Sequence, residues 1–176
     1  MSSKIIITGP PRCGKSTLIS RLIDYYRKEN LNIYGFSTPE VRKGGIRIGF
    51  DIIDINSGKK IPLARAGIYN TKFKLGKYSV FIKEFNKYLN ESLNIEENHL
   101  DILIIDEIGK MELFSEKFQE FIKRSFNSET QIIATIGEKI KHPIKNYILN
   151  LPKVMLFNLT RKNQQEVFQE IISQIS

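Results

Sequence analysis

Apolar and polar positions fall into two alternating kinds of segment along this chain. Short, largely apolar runs occur at Ile5-Ile6-Ile7, at Leu100 to Ile105, at Gln131 to Ile136 and at Val154-Met155-Leu156-Phe157. Each is bounded by turn residues, so each reads as a strand buried on both faces. Between them the apolar residues follow the helical period. Leu18, Ile19, Leu22, Ile23 and Tyr26 share one face of a helix that runs to about Asn30. Ile82, Phe85 and Leu89 predict a helix over 81–93. Phe114, Phe118, Phe121 and Ile122 predict another over 111–126. Pro143 opens a short helix to Leu151. A last helix, capped by Thr160, carries Val167, Phe168, Ile171, Ile172 and Ile175. Strands alternating with helices predict an α/β fold on a mainly parallel sheet, with ligands at the carboxyl ends of its strands.

One region breaks the alternation. After a second strand at Leu31 to Phe36, residues Ile46, Ile48, Phe50 and Ile52 alternate with Arg47, Gly49 and Asp51, a period of two. Asn56-Ser57-Gly58 reads as a turn, and Lys59 to Leu63 begins a return strand. This is an antiparallel β-hairpin or meander inserted into the α/β chain. Ala64 to Lys77 reads as a loop and Tyr78-Ser79-Val80 as a few extended residues. Asn94 to His99 is a polar connection.

The chain has 176 residues, 41% of them hydrophobic and 26% charged, the balance of a globular protein in one domain, residues 1–176. It contains no apolar run of membrane-spanning length. Met1-Ser2-Ser3-Lys4 enters a strand without a signal-peptide layout. The one cysteine, Cys13, cannot form an internal disulfide, which fits a reducing cytoplasm; a monomer is expected. The net charge is +8, but the basic residues are spread along the chain. They suit a polyanionic nucleotide, and nucleic acid is not the expected partner.

The chemistry concentrates in two places. Gly9-Pro10-Pro11-Arg12-Cys13-Gly14-Lys15-Ser16, followed by Thr17, has the form G-x-x-x-x-G-K-[ST] between a strand and a helix. Glycines at both ends let the backbone turn so that its N–H groups converge on an anion, and the helix adds its positive end. Lys15 supplies a mobile charge for the β- and γ-phosphates. Ser16 offers a hydroxyl to Mg²⁺, and Thr17 one to the α-phosphate. The whole loop, Gly9 to Thr17, is the candidate nucleotide cradle.

The second place is Leu103-Ile104-Ile105-Asp106-Glu107, a buried strand ending in two acids, in the manner of a Walker B strand. Asp106 is the second candidate Mg²⁺ ligand, and Glu107 the candidate base for an attacking water. Lys110 follows closely and joins Lys15 and Glu107 as a candidate catalytic group. Arg42, Arg47 and Arg65 are further cations that could face the phosphates. Glu112 sits near the predicted start of a helix, where the dipole favours an acid. His99 and His142 lack the spacing of a zinc site.

Asp106-Glu107-Ile108-Gly109-Lys110-Met111-Glu112-Leu113-Phe114-Ser115 resembles the signature of the nucleoside-triphosphatase family first described from thermophiles and known in humans as cancer-related nucleoside-triphosphatase. Glu40-Val41-Arg42, Gly44 to Asp51, Gly76 to Val80 and Ala134-Thr135-Ile136 match it as well. The resemblance covers nearly the whole chain. It implies a three-layer P-loop fold and Mg²⁺-dependent hydrolysis of ATP, GTP and other triphosphates to diphosphate and phosphate, with loose base selectivity. Two departures stand out. The family often has Gly-Val where this chain has Arg12-Cys13, and it tends to carry Thr-x-x-Asn-Arg where Thr160-Arg161-Lys162-Asn163 is followed here by Gln164.

Two other readings use the same loop. A small-molecule or nucleoside kinase would need an acceptor pocket, with the loop from Gly67 to Gly76 as its lid, whereas Glu107 favours water as acceptor. A nucleic-acid-dependent or switch protein finds less support, since Asn86-Lys87-Tyr88-Leu89 fails the guanine-reading pattern at its last position.

Overall fold

Ile5 and Ile7 point to one side of the first strand and Ile6 to the other, and both sides are buried. That alternation builds the whole molecule, because a strand covered on both faces needs a helix layer on each. The computed structural model describes residues 2–93 and 101–175. The predicted connection at Asn94 to His99, and with it His99 and Leu100, lies outside them.

Five parallel strands form the centre of the sheet: β1 (Lys4–Gly9), β2 (Ile33–Ser37), β8 (Ile102–Ile108), β9 (Gln131–Gly137) and β10 (Val154–Asn158), in the order β10-β1-β9-β8-β2. Helices α1 (Lys15–Lys28) and α5 (Gln164–Gln174) cover one face. There Leu18, Leu22, Val167 and Ile171 pack on Ile5, Ile7, Ile104 and Ile133. Helices α2 (Ile82–Ser92), α3 (Glu116–Asn127) and α4 (Pro143–Leu149) cover the other, with Phe85, Phe118 and Ile144 among the residues gathered around Ile6, Ile105 and Ala134. The arrangement is the α/β fold that the alternation predicts, in the three layers that the resemblance implies. No helix among the described residues is long and apolar enough to cross a membrane.

The insertion is larger than a hairpin with one return strand. β3 (Glu40–Lys43), β4 (Ile46–Asp54), β5 (Lys60–Ala66), β6 (Lys74–Leu75) and β7 (Tyr78–Val80) extend the sheet beyond β2 as an antiparallel flank. β3 and β4 turn at Gly44-Gly45, both at positive φ. The stretch from Ala64 to Lys77 is therefore not a free loop. Ala64 to Ala66 belong to β5 and Lys74-Leu75 form β6, the Ser79 hydroxyl donates to the Gly67 carbonyl, and Thr71 donates to Val80. Backbone pairing takes this segment up, a long-range contact that local composition does not carry.

Two helix starts also differ from expectation. The helix expected from Met111 is a single 3₁₀ turn at Glu112–Phe114, and α3 begins only at Glu116. Ser115 interrupts the run: its hydroxyl accepts the Phe118 N–H at 3.0 Å, the bond of an N-cap. Thr160 does not cap α5. Asn163 is the N-cap residue, and its Oδ1 accepts the Thr160 N–H at 2.8 Å.

Candidate active site

The loop between β1 and α1 closes on itself before any ligand is considered. The Cys13 N–H donates to the Pro10 carbonyl at 3.2 Å, and the Leu18 N–H donates to Gly14 at 3.0 Å. Gly14 is the N-cap of α1 at φ 101 and has no capping side chain. The first-turn N–H groups of the helix thus lack a side-chain acceptor, and no acidic residue occupies that turn. A β-carbon at Gly9 would stand 2.4 Å from the Leu159 carbonyl oxygen, and one at Gly14 would stand 2.8 Å from Gln164 Nε2. Arg12 takes φ 63, a left-handed conformation that glycine reaches without strain. Lys15 folds over the loop and donates from Nζ to the carbonyls of Gly9 at 2.9 Å and Pro10 at 3.1 Å. Cys13 is buried beneath the loop rather than open to solvent.

Asp106 and Glu107 stand where β8 departs from regular pairing with β9, between Ile105 and Ile108. Asp106 is 7% exposed and accepts the Thr135 hydroxyl at 2.6 Å. Burial raises its pKa, while the hydrogen bond from Thr135, the nearby Ser16 hydroxyl and the charge of Lys15 pull it back. Ser16 and Asp106 line the same cavity, although far apart in sequence. Burial and the neighbouring Asp106 raise Glu107, against the charge of Lys15.

These groups border one open cavity of about 850 Å³, a size typical of small-molecule sites. The loop from Pro11 to Thr17 forms one wall, with Asp106 and Glu107 at the floor. Thr38, Pro39, Glu40, Arg47 and Phe50, from the antiparallel flank and the link into it, complete the lining.

Of the three candidate arginines Arg42, Arg47 and Arg65, Arg47 lines the cavity. Its Nε donates to the Tyr78 hydroxyl at 2.9 Å and its Nη1 to Glu40 at 2.7 Å, and its guanidinium lies over the Phe50 ring. Those contacts hold the side chain in place and leave Nη2 without a hydrogen-bond partner among the described residues. Arg42 is turned instead to Glu40 and the Gly45 carbonyl. Arg65 is spent on Asp51 and the carbonyls of Phe50 and Ala64. Lys110, exposed at the turn after β8, borders two smaller cavities that also contain Glu107.

Three groups at the site belong to neither motif. Thr135 is a lone hydroxyl inside an apolar strand, and in the sequence it stands out only as part of the Ala134-Thr135-Ile136 match to the family. Gln164 donates from Nε2 to the Cys13 carbonyl at 2.7 Å and so ties α5 to the loop, with Arg161 Nε reaching the Arg12 carbonyl at 3.4 Å beside it. Glu112 is not a dipole-stabilised surface acid. It is buried, and burial with the nearby Glu107 pushes its pKa up to about 8. His142 acts in the scaffold, where its Nδ1 accepts the Ile144 N–H at the start of α4.

A sequence family described as NTPase matches residues 4–172, nearly the whole chain. The chain belongs to this NTPase family. The NTPase is 41% identical over 170 residues to the nucleoside-triphosphatase THEP1 of Thermotoga sp. (strain RQ2), covering 97% of this chain and 94% of that one. It is 32% identical to the human cancer-related nucleoside-triphosphatase over 184 residues, 98% of this chain and 96% of the human one. The crystal structure of THEP1 from the hyperthermophile Aquifex aeolicus superposes with a TM-score of 0.84 at 33% identity, over 98% of this chain and 99% of that one. The match extends over the antiparallel flank as well as the central sheet, so the NTPase has the P-loop fold of its relatives throughout.

Proposed function

We propose that this NTPase hydrolyses nucleoside triphosphates, ATP and GTP among them, to diphosphate and phosphate in a Mg²⁺-dependent reaction with little selection for the base. The observation that carries this reading is the meeting of Lys15, Ser16, Asp106 and Glu107 in one cavity at the carboxyl ends of the parallel strands.

The N–H groups of Gly14 to Thr17 and the ammonium of Lys15 bind the polyphosphate. Ser16 and Asp106 would hold the metal. A hydroxyl and a carboxylate are the hard oxygen donors that Mg²⁺ takes, and a site with two protein ligands leaves room for phosphate oxygens and water. When bound, Mg²⁺ offsets negative charge on the β- and γ-phosphates. Thr135 keeps Asp106 oriented. Glu107, its basicity raised by burial, orients the attacking water and takes its proton. Arg47, and Lys110 from the far side, stabilise charge that builds on the transferred group. Phe50 and Arg47 offer flat, base-indifferent surfaces, which supports loose base selectivity. We place the enzyme in the cytoplasm as a monomer, with nucleic acid no part of the reaction.

Phosphate release across a panel of nucleoside triphosphates, with and without Mg²⁺, tests the proposal, alongside Glu107→Gln. The variant should keep Mg·ATP binding and lose on the order of 10²–10⁴ in turnover. Turnover equal to the parent removes Glu107 from the mechanism, and no phosphate release from any triphosphate refutes the function.

A further inference from the structure

Hydrolysis needs only a water beside Glu107, yet the space beyond that residue is far larger than one water. A side chamber of about 260 Å³ opens off the main cavity, and the two share Thr38, Phe50 and Glu107 on their walls. At about 30 Å³ per liquid water, that is room for roughly nine waters, or for one substituted ring.

The chamber's walls are not phosphate chemistry. Phe50, Leu75, Met111 and Ile140 make it chiefly apolar. Its deepest polar group is Glu112, 4% exposed. Burial keeps that carboxyl protonated at neutral pH, with a pKa of about 8, so it presents a hydrogen-bond donor rather than a charge. An apolar recess with a few convergent polar groups is the usual form of a small-molecule site. Lys110 stands with Glu107 where this chamber and a third space, of about 200 Å³ under the loop, come together.

We propose that this side chamber is an acceptor site for small uncharged alcohols carrying a single ring, and that the enzyme transfers the γ-phosphoryl group to them as well as to water. The proposal rests on the reading of Glu107 and the phosphate loop given above. The ring lies among Phe50, Leu75, Met111 and Ile140, and Glu112 donates to a ring nitrogen or a second oxygen. The hydroxyl reaches Glu107 in place of water. Its oxygen forms a bond to the γ-phosphorus as the bond from that phosphorus to the β,γ-bridging oxygen breaks. The nucleoside diphosphate leaves, the hydroxyl proton passes to Glu107, and the product is a phosphate monoester. Holding the acceptor in place gives it the advantage of proximity over bulk water.

The test uses the whole protein, Mg·ATP labelled in the γ-phosphate, and three probes: benzyl alcohol, pyridylmethanol and cyclohexylmethanol. Label should appear in the monoester of at least one probe and saturate with its concentration. The fraction transferred should exceed that of Leu75→Trp, which fills the chamber, by about tenfold or more. A methyl NMR titration of Met111 with pyridylmethanol covers the case in which Leu75→Trp does not fold; the Met111 signal should shift saturably. Label found only in free phosphate with all three probes, or an unmoved Met111 signal, overturns the acceptor site and leaves hydrolysis standing. No label released with or without probe overturns both readings.

Discussion

The hydroxyl of Thr135 donates a 2.6 Å hydrogen bond to Oδ1 of Asp106, joining β9 to β8 at the floor of the cavity. Both side chains are buried, so the bond fixes which way the carboxylate faces. Thr135→Val keeps the shape and removes the donor. The half-saturating Mg²⁺ concentration should rise by about 10–100-fold, the usual effect of losing the partner that orients a metal ligand. A Mg²⁺ titration of phosphate release measures it; an unchanged midpoint would show that Asp106 needs no such support.

Arg47, from the antiparallel flank, and Lys15, from the phosphate loop, line the same cavity. Arg47→Ala should lower kcat/KM for Mg·ATP by about 10–100-fold, while Arg42→Ala, which alters a side chain turned away, should stay within about twofold. Equal losses in the two variants would mean that Arg47 acts through the fold of the flank.

Gln164 couples the last helix to the phosphate loop through the Cys13 carbonyl. Gln164→Ala frees that carbonyl and leaves a gap beside Gly14, so the loop should hold phosphate less firmly. KM for ATP should rise several-fold, with a stability loss of about 1 kcal/mol. Isothermal titration with a non-hydrolysable triphosphate separates weaker binding from slower chemistry, and unchanged affinity would refute the coupling.

Arg12 occupies a left-handed backbone conformation, where a side chain is strained. Arg12→Gly should therefore stabilise the nucleotide-free protein by roughly 0.5–1 kcal/mol, offset in part by the greater freedom of glycine in the unfolded chain. Urea denaturation without nucleotide reads this directly; a variant less stable than the parent would show that the Arg12 side chain contributes more than its backbone loses.

Glu112 gives the apo-protein a pH dependence of defined sign. Its carboxyl has an ordinary pKa near 4.5 when unfolded and one of about 8 when folded. Between those values the unfolded chain releases the proton first, so stability falls as pH rises through this window. Glu112→Gln removes the penalty. The difference in unfolding free energy between variant and parent, read from urea denaturation, should widen from pH 5 to pH 8, in favour of the variant, by on the order of a few kcal/mol at its largest. A constant gap across that range would show that Glu112 ionises normally in the folded state.

Much of this molecule follows from the order of its residues alone. Apolar runs such as Ile5-Ile6-Ile7 had to lie in a sheet covered on both sides, and the helical faces after them had to supply the cover. The loop from Gly9 to Ser16 is legible because its chemistry is local: glycines, a lysine and a helix start in one stretch of chain. The start of α3 is not legible in the same way, because the helical period continues through Ser115 while its capping bond breaks the helix there. Which of Arg42, Arg47 and Arg65 meets the cavity is settled in three dimensions, since it depends on the register of β3, β4 and β7 and on Glu40 and Tyr78 being in reach. So is the hold of Thr135 on Asp106, the tie of Gln164 to the loop, and the burial of Glu112 beside Glu107. Those contacts join residues far apart in the chain, where no spacing rule applies and only the closure of the sheet brings the side chains within a hydrogen bond of one another.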